Sequence, residues 1–329
     1  MSQIDRPRPA LQRIVEVGAR GAAASVRDRV VVMSTAGDAD VDEGFPIASV
    51  SKVFTAALTL RLVEQSVLSL DAALVDIFPE WQNLAAPRVT IRDALRHTTG
   101  IPSYDNEVVS TALESEATTL SAYEVCDLIL QSATRPPQTP FSYSNTNYLL
   151  IGCLLERVTG QTLPSLLTNE LFSPLELRRT ELRAGTTVLS ATGIGRPHGR
   201  WFITPWADGG LISTVADIGS FFWNLFRGAV LAPQTLLQMT TPINMRPRRH
   251  YGLGLARWQL PCGWTWGVAG DGRGGVIQVL CADDAARVVV MRAARAGRPD
   301  SASSPDVIAA VVLQQAVSVY CGLRGRMSD

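Results

Sequence analysis

The spacing of apolar positions changes along the chain, and the changes mark its parts. Residues 9–18 repeat at helical spacing, and Ala22–Val26 and Arg29–Ser34 read as two strands joined by a tight polar turn at Arg27-Asp28. From Ser49 the period switches: Val53, Ala56, Leu60 and Val63 recur every three or four residues, one face of a helix. A mostly helical pattern follows, broken by Pro and Gly, with helices predicted at Tyr123–Gln131, Asn147–Thr159 (Gly160 as its stop), Leu163–Leu171 and Ala216–Phe226. Strand patterns return at Tyr251–Trp258, Trp264–Val268, Gly275–Cys281 and Arg287–Arg292, separated by turns rich in Gly, Pro and Asp. A helix from Asp306 to about Gly322, capped by Ser304 or Asp306, closes the chain. Strands at both ends with helices between them predict an α+β fold in one domain. Its antiparallel sheet is completed by both ends of the chain (about 1–60 and 210–329), with a helical subdomain (about 61–209) inserted.

Composition narrows the function classes. The 329 residues balance Lys+Arg 30 against Asp+Glu 30, so the basic excess of a nucleic-acid binder is missing. No apolar core of a secretory signal stands near the N-terminus, and the apolar stretch Val307–Leu323 is interrupted by Gln314, Gln315 and Ser318. The expectation is a cytoplasmic protein with neither a membrane nor a nucleic-acid partner. Cys126, Cys153, Cys262, Cys281 and Cys321 lie far apart without CxxC spacing, and are read as small apolar residues with free thiols. His97, His198 and His250 never approach HExxH spacing, so no metal or other cofactor is expected.

Three segments could carry chemistry. In Ser49-Val50-Ser51-Lys52, positions i and i+3 share a helix face, so the Lys52 ammonium can reach the Ser49 hydroxyl. A serine needs such a neighbouring base to become a nucleophile, and a helix N-terminus favours an oxyanion; a serine cap followed by a solvated lysine fits the same residues. In Phe141-Ser142-Tyr143-Ser144-Asn145, Tyr143 could relay a proton and Asn145 could donate to a substrate carbonyl and hold the lysine; a turn with an Asn cap and a packed aromatic also fits. Gly270, Gly272 and Gly275 satisfy G-x-G-x-x-G, but they lie late in the chain and precede a strand, so a glycine-rich turn between strands is the better reading than a dinucleotide site.

Taken in order, these segments resemble the serine beta-lactamase-like superfamily, in the branch of class C beta-lactamases, DD-peptidases, D-aminopeptidases and related esterases. The resemblance is carried by Pro46–Lys52 (S-x-x-K), Leu95–Ile101 (L-x-H-T-S-G-L), Pro140–Asn145 (Y-x-N), Gly209–Thr214 (G-G-L-x-S-T) and Tyr251–Gly254. It implies a beta-lactamase/transpeptidase-like fold with the site between sheet and helical subdomain. It also implies a serine hydrolase or acyltransferase acting through an acyl-enzyme on Ser49, with the general-base and general-acid work shared between Lys52 and Tyr143. The substrate would be a small ester, thioester or amide, met by Asn145, Val268, Gly270 and Asp271, with the N–H groups of Ser49 and Asp271 as oxyanion donors. An acyltransferase or cyclase, and a non-catalytic binding member, are the alternatives. One departure stands out: where the family's third element reads K-T-G or H-x-G, this chain has Val268-Ala269-Gly270, with neither cation nor hydroxyl. The departure implies a neutral substrate and poor activity on penicillins. His97 is read as structural, and Trp264 and Trp266 as core or cleft wall.

Overall fold

Small residues start the sheet. In the computed structural model, which describes residues 7–28, 30–81, 89–104, 119–132, 140–182, 187–190, 202–203, 206–272, 274–284, 286–295 and 305–324, helix α1 (Arg8–Glu16) leads into strands β1 (Gly21–Asp28) and β2 (Val30–Gly37). Helices α2 (Ser51–Glu64), α3 (Ile91–Arg96), α4 (Ala122–Ser132), α5 (Asn145–Thr159) and α6 (Val215–Phe226) follow. The chain then returns through β3 (Ile243–Arg246), β4 (Arg249–Tyr251), β5 (Ala256–Leu260), β6 (Gly263–Gly272), β7 (Gly275–Cys281) and β8 (Val288–Ala294), and ends in α7 (Pro305–Arg324). These eight strands form one sheet in the order β2-β1-β8-β7-β6-β5-β4-β3. Every neighbouring pair is antiparallel, and Ala24 of β1 sits between Ser34 and Met291. Early and late segments thus meet at β1 and β8, as the position of the strand patterns predicted.

Helices cover both faces of this sheet. On one face α1 and α7 lay Leu11, Ile14, Ile308, Val312, Ala316 and Tyr320 over Ala22, Ala24, Leu280 and Val289. On the other, α6 packs on β1 and β8, and Phe54 of α2 stacks on Phe221 of α6, so that Phe54, Leu58, Tyr148, Phe221 and Phe222 share one core with Ala23, Val279, Val288 and Val290. Strand β8 is therefore buried along its whole length, which is why its sequence is apolar on both faces rather than alternating, with Arg292 as its one charged residue. Helix α2 is buried on every side from Ser51 to Leu60, so its polar residues Ser51, Lys52, Thr55 and Thr59 lie inside the protein. Polar groups in that position must find partners. Ser51 Oγ accepts from Leu211 N, and Thr55 Oγ1 donates to the Ala207 carbonyl.

Several expectations are corrected. Tyr251–Trp258 is not one strand: β4 and β5 are separated by a turn in which Gly254 takes φ 85°. A Cβ there would stand 2.7 Å from Ala56 Cβ on α2, so the turn presses directly on that helix. The segment Leu163–Leu171 is helical to Leu167 and continues as a π-turn, Thr168–Phe172. Within the region read as helical, Thr119–Ser121, Thr187–Ser190 and Phe202–Ile203 form a small sheet. Gly270 and Gly272 are strand rather than turn, because β6 pairs with β7 from Trp266 as far as Gly272. Most consequential for the cysteines, Cys262 and Cys321 form a disulfide that fastens the β5–β6 turn to α7, leaving Cys126, Cys153 and Cys281 as buried thiols. Arg29, His198, Arg273 and Ser304 lie outside the described residues.

Candidate active site

Ser49 stands in a single 3-10 turn, Ala48–Val50, just ahead of α2. Ala48 is forced to φ 46°, a conformation that costs a non-glycine residue about 1 kcal/mol or more. The turn leaves Ser49 partly exposed while Lys52, in the first turn of α2, is 1% exposed. Lys52 Nζ donates to Ser49 Oγ at 3.2 Å and to the backbone carbonyl of Asp208 at 2.7 Å. Tyr143 Oη donates to the same Ser49 Oγ at 3.0 Å. Lys52 Nζ lies 5.2 Å from the Tyr143 ring centroid and 5.6 Å from that of Tyr148, within cation–π range of both. Tyr143 is 44% exposed, so this side of the trio is open to solvent.

Asp208 was not singled out from the sequence. Its carboxylate accepts from Tyr104 Oη at 2.5 Å and from Trp206 N at 3.1 Å, which turns its backbone carbonyl toward Lys52. A backbone acceptor leaves no side-chain signal in a sequence; the only local pointer was the Gly209-Gly210 pair that follows it.

The segment before α5 is tied to the chain that follows α3. Asn145 N donates to Ser103 Oγ at 2.8 Å, placing Asn145 at the first turn of α5, one residue beyond the Ser144 cap. His97 ends α3 in the left-handed conformation and is fully buried. Its ring lies 4.3 Å from that of Tyr143 and 5.4 Å from that of Tyr148. Burial holds the His97 imidazole well below its ordinary pKa, and the nearby Lys52 charge pushes the same way. Burial likewise raises the Tyr148 and Tyr251 hydroxyls well above the usual phenol value.

The third wall is β6. Its neighbour β5 pairs with Gly263–Gly267, so among the described residues no strand pairs with Val268–Gly272 on that side. At Gly270 a Cβ would overlap the Ile47 carbonyl oxygen and lie 2.8 Å from Ile277 Cγ2, so only glycine lets the strand come this close to the serine turn. Val268 is 8% exposed and packs into the main core, whereas Ala269 is exposed. The apolar contact surface expected of Val268 is therefore small, and its effect on the strand is the absence of charge. Asp271 is exposed and accepts from Arg295 Nη2 at 2.5 Å, while Arg295 Nη1 donates to Gly272 O at 2.7 Å. Trp266 is buried and Trp264 is partly exposed beside His250. Ser49, Lys52 and Tyr143 are thus in hydrogen-bond contact, with Gly270 packed against the turn that carries them.

A model of the beta-lactamase family matches residues 9–313. The chain belongs to the beta-lactamase family. Among curated relatives, a D-aminopeptidase of Cereibacter sphaeroides is 30% identical over 197 residues, 56% of this chain and 37% of that protein. Penicillin-binding protein 4 of Amycolatopsis lactamdurans is 33% identical over 143 residues, 42% of this chain and 36% of that protein. The matched region therefore spans little more than a third of these relatives' own length. A D-stereospecific amidohydrolase from Streptomyces sp. superposes with TM-score 0.78 at 25% identity, covering 98% of this chain and 99% of that one. The D-amino acid amidase from Ochrobactrum anthropi SV3, with TM-score 0.78 at 21% identity over 97% and 99% of the two chains, shares the fold.

Proposed function

We propose that this beta-lactamase family member is a serine hydrolase that cleaves a neutral amide or ester through an acyl-enzyme on Ser49. The observation that carries the reading is the convergence of Lys52 Nζ and Tyr143 Oη on one hydroxyl oxygen, at 3.2 and 3.0 Å, inside a partly open cleft. A serine hydroxyl flanked by two groups that can each hold a proton meets the geometric requirement for an activated nucleophile. Ser49 Oγ attacks the substrate carbonyl carbon, and its proton passes to the Lys52–Tyr143 pair. The N–H groups of Ser49 and Asp271 receive the oxyanion. Collapse of the tetrahedral intermediate breaks the bond to the leaving group, which takes the proton from the pair. Water, deprotonated by the same pair, then adds to the acyl carbon and releases the acid.

The open edge at Val268–Gly272 lets an extended substrate lie along β6. Val268 offers no charge there, and Arg295 is engaged by Asp271 and Gly272. A carboxylate beside the scissile bond would lose water without the charge-assisted partner that contributes about 1.5–3 kcal/mol elsewhere. The names of the D-aminopeptidase and D-stereospecific amidohydrolase relatives make amides of D-amino acids the first panel to try. A fluorophosphonate should add mass to the Ser49 peptide alone, and Ser49→Ala should remove both the adduct and turnover by several orders of magnitude. Of matched D-aminoacyl substrates, the neutral member should exceed its carboxylate counterpart in kcat/KM by about 10–150-fold. Labelling elsewhere would remove Ser49 from the role, and efficient hydrolysis of a penicillin would refute the neutral-substrate reading.

A further inference from the structure

We infer that His97 is a positioning residue for Tyr143, gripping the backbone on both sides of it. The carbonyl of His97 accepts from Ser142 N at 2.8 Å. Its ring Nδ1 accepts from Ser144 N at 3.2 Å. The two amides that flank Tyr143 therefore end on one residue, while the imidazole plane backs the Tyr143 ring at 4.3 Å. Left-handed backbone at φ 60° lets a single residue present carbonyl and ring to the same strip of chain, and histidine tolerates that region better than most side chains.

The ring is itself held. Asn147 Nδ2 lies 3.2 Å from Nδ1, and Asn147 Oδ1 accepts from Thr99 Oγ1 at 2.7 Å, which in turn accepts from Ile101 N at 3.0 Å. Two donors pointing at Nδ1 require that nitrogen to be the acceptor, so the proton sits on Nε2, which has no hydrogen-bond partner among the described residues. Phe141 and Tyr251 close the pocket at 5.9 and 5.2 Å. The low basicity that burial and Lys52 impose on the ring keeps Nδ1 unprotonated and the grip intact. Tyr143 needs such a hold because its own side chain is exposed and would otherwise sample several rotamers. Its hydroxyl must remain within hydrogen-bond reach of Ser49.

This assignment rests on the acyl-enzyme reading, in which Tyr143 works on Ser49, but its structural half can be read without activity. Two amide variants separate an acceptor at the Nδ1 position from one elsewhere. In His97→Asn, Oδ1 takes the place of Nδ1 and the residue tolerates left-handed backbone; in His97→Gln, the amide reaches the place of Nε2. Each variant is crystallised, and Ser49 acylation by a fluorophosphonate and turnover of an amide are timed. Loss of the grip in the Gln variant should carry Tyr143 Oη out of hydrogen-bond distance of Ser49 Oγ. Acylation and kcat should fall about 100-fold, as for a misplacement of about 1 Å, with KM largely unchanged. The Asn variant should keep the contact and most of the rate. An undisturbed Tyr143 in the Gln variant, or equal damage in both, overturns the assignment. If wild-type Ser49 is not labelled, the acyl-enzyme reading fails, and the two crystal structures still decide whether His97 holds Tyr143.

Discussion

Gly270→Ala should damage catalysis and the fold together, because the same clash acts on both. A Cβ at this position would overlap the Ile47 carbonyl oxygen on one side and lie 2.8 Å from Ile277 Cγ2 on the other. The Ile47 carbonyl belongs to the backbone that leads through strained Ala48 into Ser49, so it cannot swing away as a side-chain tip would. Relief requires β6 and the serine turn to separate by roughly 0.5–1 Å, at a stability cost of about 1–3 kcal/mol, typical of overpacking. The same displacement moves Ser49 relative to the edge of β6. Misplacement of about 1 Å costs about 10²-fold in rate when the reacting geometry is disturbed. The assay is kcat and KM on the best amide of the panel, normalised to active sites titrated with a fluorophosphonate, beside a thermal melt. Gly322→Ala is the control: it lies in α7 with nothing within 4 Å of the added methyl, and should leave the rate unchanged while adding up to about 1 kcal/mol of stability. A Gly270→Ala enzyme with wild-type kcat and an unshifted melt would refute the argument that this glycine sets the distance between strand and serine.

Two further outcomes follow from groups outside the trio. Peptide mapping without reductant should find Cys262 joined to Cys321, with Cys126, Cys153 and Cys281 alkylated only after unfolding; reduction should lower stability by up to about 4 kcal/mol for a closed loop of 59 residues. Five thiols alkylated without reductant would dismiss the bond, and because disulfides persist in oxidising compartments, the same map tests the cytoplasmic expectation. Acid should destabilise the protein through His97, which faces Lys52 of α2, Tyr143, Tyr148 of α5 and Tyr251 of β4. Its folded pKa lies below the unfolded value, so the unfolded chain takes up a proton first, and stability falls as pH drops below about 6.5, by at most about 1.4 kcal/mol per pH unit, until the folded pKa is reached. Denaturant midpoints of wild type and His97→Asn between pH 5 and 7 should diverge accordingly; parallel curves would exclude His97 as the source.

Local spacing made part of the site legible. Ser49 and Lys52 are three residues apart at a helix start, and that geometry is fixed by the backbone once the helix forms. Tyr143 could be placed only through an ordered set of motifs, because 94 residues separate it from Ser49 and no periodicity links them. The strands from both ends of the chain that meet at β1 and β8 were readable from strand patterns, but β3 at the edge of the sheet and the extent of β6 were not. Gly270 and Gly272 look like a turn in isolation, and they are strand because β7 pairs with β6 as far as Gly272; at Gly270 the serine turn also leaves no room for a side chain. The turn at Gly254 broke a predicted strand for a related reason, the nearness of α2. The Cys262–Cys321 pairing carried no signal in the spacing of cysteines, since it depends on where α7 docks on the sheet.

The least legible part of the site has the clearest chemical consequence. In the proposed mechanism Lys52 exchanges protons with Ser49, and such a lysine must be held firmly in both of its protonation states. A carboxylate partner would hold the ammonium strongly and the amine weakly, since the attraction depends on charge. The Asp208 backbone carbonyl, 2.7 Å from Nζ, accepts a hydrogen bond from either form. The carboxylate of the same residue is turned away and occupied by Tyr104 and Trp206 N. The loop that presents this carbonyl is fastened to α2 itself, through Thr55 Oγ1 to Ala207 O at 2.6 Å. Lysine and acceptor therefore ride on one rigid element. Through β6, Gly270 fixes the turn that carries Ser49, and His97 fixes the chain that carries Tyr143. Each member of the trio thus has its own support from a different part of the fold, and the buried helix α2 joins two of them.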